Sequence, residues 1–78
     1  MAGPGQNIHL ATFPMVDAKT ISVIYTNHRG ITTTRRIRPL NVYWGKNQWH
    51  LEPQWMTDAY DEERGAIRSF TLKDMKPV

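Results

Sequence analysis

The arginine side chains at positions 35, 36 and 38 are the groups in this sequence best suited to binding an anion. A guanidinium group is planar and permanently charged, and its fork of N–H donors matches two oxygens of a phosphate. Because side chains alternate between the faces of a strand, Arg36 and Arg38 share one face and Arg35 lies on the other. We therefore predict that Arg36 and Arg38 bind phosphate. The alternative is a solvated surface on which the arginines pair with acids of a later turn, Asp61, Glu62 and Glu63.

The distribution of charge along the chain favours the phosphate interpretation. The net charge is +3, and no acidic residue occurs between Asp17 and Glu52, whereas six basic residues lie from Lys19 to Lys46. Such clustering predicts one basic face, as expected for a domain that binds phosphate-bearing partners. Lys46 joins the predicted ligand-binding set on this ground. The alternative is a solvated surface with an uneven distribution of charge.

Three further side chains, Tyr25, His50 and Arg68, complete the predicted ligand-binding set. Arg68 shares a strand face with Phe70 and Leu72, and an unpaired charge beside such an apolar row is costly to bury. It must therefore either pair with an internal carboxylate or line a pocket. His50 can stack on a base or donate to phosphate, and its charge changes at about pH 6–7. Tyr25 is one of several aromatic residues expected in the core or at its rim, of which one or two exposed rings would suffice for base stacking.

The sequence offers no group of residues for metal binding or catalysis. It has no cysteine, and His9, His28 and His50 lack the spacing of metal ligands. Neither Ser22 nor Ser69 lies in a nucleophile motif. We therefore predict a protein that is not an enzyme and that holds no metal and no cofactor.

Short strands separated by turn residues must position these side chains. We predict strands at residues 20–26, 31–38, 40–44, 48–51, 54–60 and 66–72, followed by a helical turn at 72–75. Strands at intervals of about 8–12 residues are typical of an all-β domain, a small barrel or sandwich of short antiparallel strands. In the strand at 48–51, Trp49 and Leu51 are expected to point into the core and His50 away from it.

The first eighteen residues differ from the rest because they contain two Gly and two Pro and show no sustained periodicity of apolar residues. We predict an irregular, flexible N-terminal tail over residues 1–18, with room for a short ordered piece at 8–13, and a β domain over residues 19–76. The sequence has no apolar run of the roughly 18 residues needed to span a membrane, and no signal peptide. We therefore expect a cytoplasmic protein.

Several motifs occur in an order that resembles a known family. They are the segment Arg36-Ile37-Arg38-Pro39-Leu40, the triplet Trp49-His50-Leu51, and the closing stretch Arg68-Ser69-Phe70-Thr71-Leu72. From about residue 20 to residue 75 the chain resembles the WYL domain, which is named after a Trp-Tyr-Leu triplet. Two departures from the family pattern are His50 in place of the Tyr, and Lys73 and Asp74 where an Arg is usual.

The resemblance implies a small SH3-like or Sm-like barrel of about five to six strands that senses nucleotides or single-stranded nucleic acid in bacterial regulation. It places His50 beside the presumed ligand groove. The winged helix-turn-helix that usually precedes this domain has no room here, so the chain resembles a stand-alone version. The second hypothesis is a protein-interaction or dimerisation module, an accessory subunit of a larger regulator or nuclease, with Trp44, Pro53 and Trp55 as interface residues.

Overall fold

Strands form where β-branched and aromatic residues alternate with polar ones between turns. The structure is a computed structural model that describes residues 7–78. Its elements are β1 (Ile8–Pro14), β2 (Ile21–Thr26), β3 (Thr32–Pro39), β4 (Asn41–Lys46), β5 (Gln54–Asp61), β6 (Ala66–Thr71), a 3₁₀ turn (Leu72–Asp74) and β7 (Met75–Pro77). The all-β prediction is confirmed, and the sheet curls into a half-barrel.

All strand pairs are antiparallel and belong to one sheet. The order is β1-β4-β5-β3-β2-β7, and β6 pairs with β5 outside this path. Strand β5 is the hub, because its first residues pair with β4, its last residues pair with β3, and β6 runs beside it for most of its length. The β2–β3 hairpin closes at Gly30, whose φ of 79° is the left-handed conformation that glycine adopts without strain.

The core lies on the concave face of the curled sheet. Val23, Tyr25, Ile37, Ala59 and Phe70 are buried together, and Met75 packs against them. The rings of Tyr25 and Phe70 meet edge to face with centroids 4.9 Å apart. The Tyr25 hydroxyl accepts the Thr71 backbone N–H at 3.2 Å, so the one polar atom of this ring is satisfied inside the core.

The predicted strand at residues 48–51 is wrong. Asn47 is buried, and its Oδ1 accepts the backbone N–H groups of Trp49 and His50, each at 2.9 Å. Because these two N–H groups bond to the Asn47 side chain, they cannot pair with a neighbouring strand. Residues 47–53 therefore form a loop between β4 and β5. Trp49 and Leu51, expected in the core, are 52% and 74% exposed.

The two ends of the chain carry strands that sequence reasoning described incompletely. Strand β1 lies in the segment expected to be a tail, at the place of its short ordered piece, and pairs with β4 from Ile8 to Pro14. All seven of its residues are exposed, and β1 forms one edge of the described sheet. Strand β7 was missed; it extends the sheet beside β2 over three residues. Residues 1–6 lie outside the described residues, and the division of the chain after residue 18 stays a prediction.

Candidate ligand-binding cleft

A cleft with a volume of about 460 Å³ opens beside the core, between the tip of the β2–β3 hairpin, the 47–53 loop and the β5–β6 turn. Its lining includes four arginines, Arg29, Arg35, Arg64 and Arg68, and a single carboxylate, Asp61. We call this site the arginine cleft. Walls of one charge sign around a concave site concentrate oppositely charged ligands, so the arginine cleft favours anions.

The four arginines of the cleft differ in what they contact. The Arg35 guanidinium lies 3.8 Å from Asp61 Oδ2 and 3.5 Å from Glu63 Oε2. Asp61 is 1% exposed, and its Oδ1 accepts the backbone N–H groups of Glu63 and Arg64. Arg35 therefore serves mainly as the counter-ion of a buried carboxylate. The other three arginines form no ion pair with any carboxylate of residues 7–78, and their charges remain available to a ligand.

Aromatic side chains lie beside the arginines of the cleft. His28 at the hairpin tip stacks on Trp49 of the 47–53 loop, with ring centroids 4.5 Å apart and an angle of 17° between planes. His50 lines the same cleft. Burial lowers the pKa of His50; the Asp74 carboxylate opposes this shift, and Lys73 and His28 add to it. The cleft thus combines permanent cations, neutral imidazole at pH 7 and an aromatic surface.

A family model describes most of the chain, including every residue of the arginine cleft. The model of the WYL domain matches residues 14–78. The chain belongs to the WYL domain family. No curated protein and no solved structure gives a match to it. The WYL domain is a regulatory domain family, and the predicted resemblance is confirmed.

The predicted site residues of this WYL domain fall on two surfaces. Tyr25, His50 and Arg68 line the arginine cleft, with the buried Tyr25 as part of its floor. Arg36 and Arg38 are exposed on the opposite face of β3, as their alternation with the buried Ile37 requires.

On that outer face, the arginines have their own partners. Arg36 Nε donates to Glu62 Oε1 at 3.2 Å and Arg36 Nη1 donates to Ser22 Oγ at 3.4 Å, which is the pairing weighed as the alternative to phosphate binding. Arg38 stands over the Tyr60 ring at 6.0 Å. Lys46, at the end of β4, does not line the arginine cleft.

Sequence reasoning missed several cleft residues of the WYL domain: Arg29, Arg64, His28, Trp49 and Asn47. The sequence contains a feature that could have indicated two of these residues. Arg29 and Arg64 each precede a turn glycine, and the tips of two hairpins lie at one end of a curled sheet. The sequence pattern also indicated Arg35. It lies two residues before Ile37 in the same strand, so its side chain is on the core side of β3.

Residues 7–78 contain no group of three or more His, Cys, Asp and Glu residues placed to hold a metal ion. Within the same residues, no helix has the length and apolar character needed to cross a membrane.

The lowered pKa of His50 predicts opposite effects of pH on folding and on anion binding. Because the folded state binds this proton less readily than the unfolded chain, stability is fully present above the ordinary pKa of 6.5 and falls as the pH drops below it. Protonated His50 adds a positive charge to the cleft, so oligonucleotide affinity rises over the same range. We expect urea titrations between about pH 7.5 and 5.5 to show a smaller stability loss for His50→Gln than for the wild type. Equal losses would contradict the burial of this imidazole.

Proposed function

We propose that this WYL domain is a non-catalytic ligand-sensing module of bacterial regulation. Its ligand carries phosphate and is a nucleotide or a short single-stranded nucleic acid. The observation that supports this most is the convergence of Arg29, Arg64 and Arg68, all without an ion-pair partner among residues 7–78, on one cleft. Each guanidinium can hold two phosphate oxygens, and charge-assisted hydrogen bonds of this kind are about twice as strong as neutral ones.

The aromatic residues of the cleft fit the same class of ligand. Base–aromatic stacking contributes about 1–3 kcal/mol per base and tolerates different bases. Trp49 is half exposed beside the cations, so a stacked base and its phosphate would have partners within one site. His50 and Arg68 would orient the ligand, and Arg36, Arg38 and Lys46 remain proposed as basic contacts outside the cleft that a longer strand would reach.

Salt dependence tests the proposal. We expect a labelled short single-stranded RNA or DNA to bind at about 50 mM salt. Three phosphate contacts would weaken that binding about 20-fold between 50 and 200 mM, because each contact on a single strand contributes about 0.7 to the slope. Fluorescence anisotropy titrations measure both affinities. Absence of binding at low salt, or an affinity that salt does not change, would contradict the proposal.

An exposed aromatic cluster favours a second candidate function, that of a self-association module. Trp44 and Trp55 are 38% and 45% exposed and pack edge to face at 5.4 Å, and Phe13 lies 6.2 Å from Trp55. The exposed Pro53 is nearby in sequence. A chain of 78 residues with a small core gains stability when a second copy covers such a surface.

Sedimentation equilibrium distinguishes this second function from the first. We expect a dimer that persists at high salt and that becomes a monomer in the double variant Trp44→Ser/Trp55→Ser, since Trp is enriched at binding hot spots. A double variant Trp49→Ser/Leu51→Ser, which alters exposed apolar residues elsewhere, is the control and should stay dimeric. A wild-type monomer at all concentrations would exclude self-association.

A further inference from the structure

A second cavity adjoins the arginine cleft and shares part of its wall. Its volume is about 410 Å³. Trp49 and Arg68 line both spaces, together with Asn47 and Ser69. Asn7, Asp58 and Ile67 line the second cavity alone. We call it the amide cavity, after Asn7 and Asn47. The two spaces are neighbouring halves of one groove, with Trp49 and Arg68 at their boundary.

The amide cavity has the opposite hydrogen-bonding character from the arginine cleft. Its only cation is the shared Arg68, and it contains the Asp58 carboxylate. Asp58 Oδ1 accepts the Ser69 hydroxyl at 2.7 Å, and Asp58 Oδ2 accepts Asn41 Nδ2 at 3.0 Å and lies 2.9 Å from His9 Nε2. The donors around Asp58 are therefore directed at this carboxylate and away from the cavity.

The same network fixes the orientation of the Asn7 amide. The single hydroxyl hydrogen of Ser69 is used by Asp58, so Ser69 Oγ can only accept, and it does so from Asn7 Nδ2 at 3.0 Å and from the Tyr43 hydroxyl at 3.2 Å. Asn7 Oδ1 is left over, buried and without a partner in residues 7–78. An unsatisfied buried acceptor is costly, and a ligand that brings an N–H donor would remove that cost.

Trp49 offers a surface for a flat ring in the amide cavity. His28 covers one face of the Trp49 ring and lines the arginine cleft, and it does not line the amide cavity. Trp49 therefore borders the amide cavity, whereas the His28 ring stacked on it belongs to the arginine cleft. A planar group in this cavity can stack on Trp49 while its edge meets Asn7 Oδ1.

We infer that the amide cavity is a nucleobase subsite that selects bases with an exocyclic amino group. The base stacks on Trp49 and donates its amino N–H to Asn7 Oδ1, and Arg68 and Arg64 hold the phosphate of the same nucleotide in the arginine cleft. A base with a carbonyl at that position would bring a second acceptor to Asn7 Oδ1 and Asp58, and would be repelled. This inference rests on the proposed function and adds to it the class of base.

Nucleotide pairs related by deamination, which replaces the amino group with a carbonyl and adds a hydrogen to the adjacent ring nitrogen, test the inference. The probes are adenosine and cytidine 5′-monophosphate, their deaminated counterparts inosine and uridine 5′-monophosphate, and ribose 5-phosphate, all titrated by calorimetry. We expect at least one amino nucleotide to bind about tenfold more tightly than its deaminated counterpart. This difference in affinity is the effect of gaining one buried hydrogen bond and avoiding one repulsion. Asn7→Ala should abolish that preference and leave the affinity for ribose 5-phosphate unchanged.

Two controls separate the subsite from general effects of mutation. Gln54 Oε1 is also buried and unpaired within residues 7–78, but Gln54 lines the groove beside Trp44 and Trp55. Gln54→Ala should therefore leave the amino preference intact. Trp49→Ala should remove the higher affinity of every nucleotide relative to ribose 5-phosphate. Trp49→Phe, which keeps an aromatic ring, should retain part of that higher affinity. Thermal melts establish that each variant is folded.

The outcomes distinguish the inference from the proposed function. If ribose 5-phosphate binds and the nucleotides show no amino preference, or if Asn7→Ala retains the preference, the inference is wrong and phosphate recognition stands. If no probe binds at low salt, including ribose 5-phosphate, the proposed function fails and the inference fails with it.

Discussion

Reversing the charge of Arg64 and Arg68 is expected to abolish binding of phosphate-bearing ligands, whereas the same change at Arg36 and Arg38 is expected to preserve most of it. Arg64 and Arg68 line the arginine cleft and have no carboxylate partner in residues 7–78. Each charge-assisted hydrogen bond contributes about 1.5–3 kcal/mol, so losing both predicts an affinity loss of at least about 100-fold. Anisotropy titrations of a short oligonucleotide at low salt measure the loss.

The two double variants form a matched pair. Each removes two positive charges and adds two negative ones, so each shifts the net charge of +3 by the same amount. The change in net charge is the same in both, so the difference between them reports which of the two surfaces lies close to the bound phosphate. A larger loss in Arg36→Glu/Arg38→Glu would show that phosphate binds the outer face of β3, as the sequence alone predicts. Equal small losses would exclude both surfaces as the phosphate site.

The choice between these two faces shows what local sequence patterns determine. Alternation along β3 correctly placed Arg36 and Arg38 on one side and Arg35 with the buried Ile37 on the other. It could not show which side lines a cleft, because that depends on the direction in which the whole sheet curls. The curl brings the turn arginines Arg29 and Arg64, 35 positions apart in the sequence, to the Arg35 side.

The segment around Trp49 shows a different limit. Its apolar residues alternate with His50 as in a strand, and pattern alone favours that interpretation. The Asn47 side chain instead accepts the backbone N–H groups that a strand would need for pairing. These two hydrogen bonds are favoured because they are local and need no partner strand. The outcome moves Trp49 from the expected core to the boundary of the arginine cleft and the amide cavity, which is why sequence reasoning did not include it among the site residues.

Substituting Gly45 by Ala is expected to release strand β1 from the sheet. Gly45 pairs with His9 across the β1–β4 ladder. A Cβ at this position would overlap the Ile8 carbonyl oxygen and lie 2.9 Å from Tyr43 Cδ2. A backbone oxygen in a ladder cannot move aside as the end of a side chain does. We expect the free energy of unfolding to fall by about 1–3 kcal/mol, the usual cost of overpacking.

Hydrogen exchange locates the change in the chain. We expect amide protection to disappear from residues 8–14 in Gly45→Ala and to persist in β2, β3 and β5, since β4 is the one strand with which β1 is paired in the described sheet. Gly30→Asn is the control, because a Cβ at Gly30 meets nothing within 4 Å and Asn tolerates its positive φ. Unchanged protection of residues 8–14 in Gly45→Ala would contradict the β1–β4 pairing.

The same variant links the N-terminal strand to ligand selection. Asn7 directly precedes β1 and reaches the amide cavity only while β1 lies beside β4. His9, in β1, also lies against Asp58. We therefore expect Gly45→Ala to lose the preference for amino-bearing nucleotides and to keep ribose 5-phosphate binding, because Arg64 and Arg68 belong to the β5–β6 hairpin. A variant that loses β1 protection but keeps the preference would place base selection outside the amide cavity.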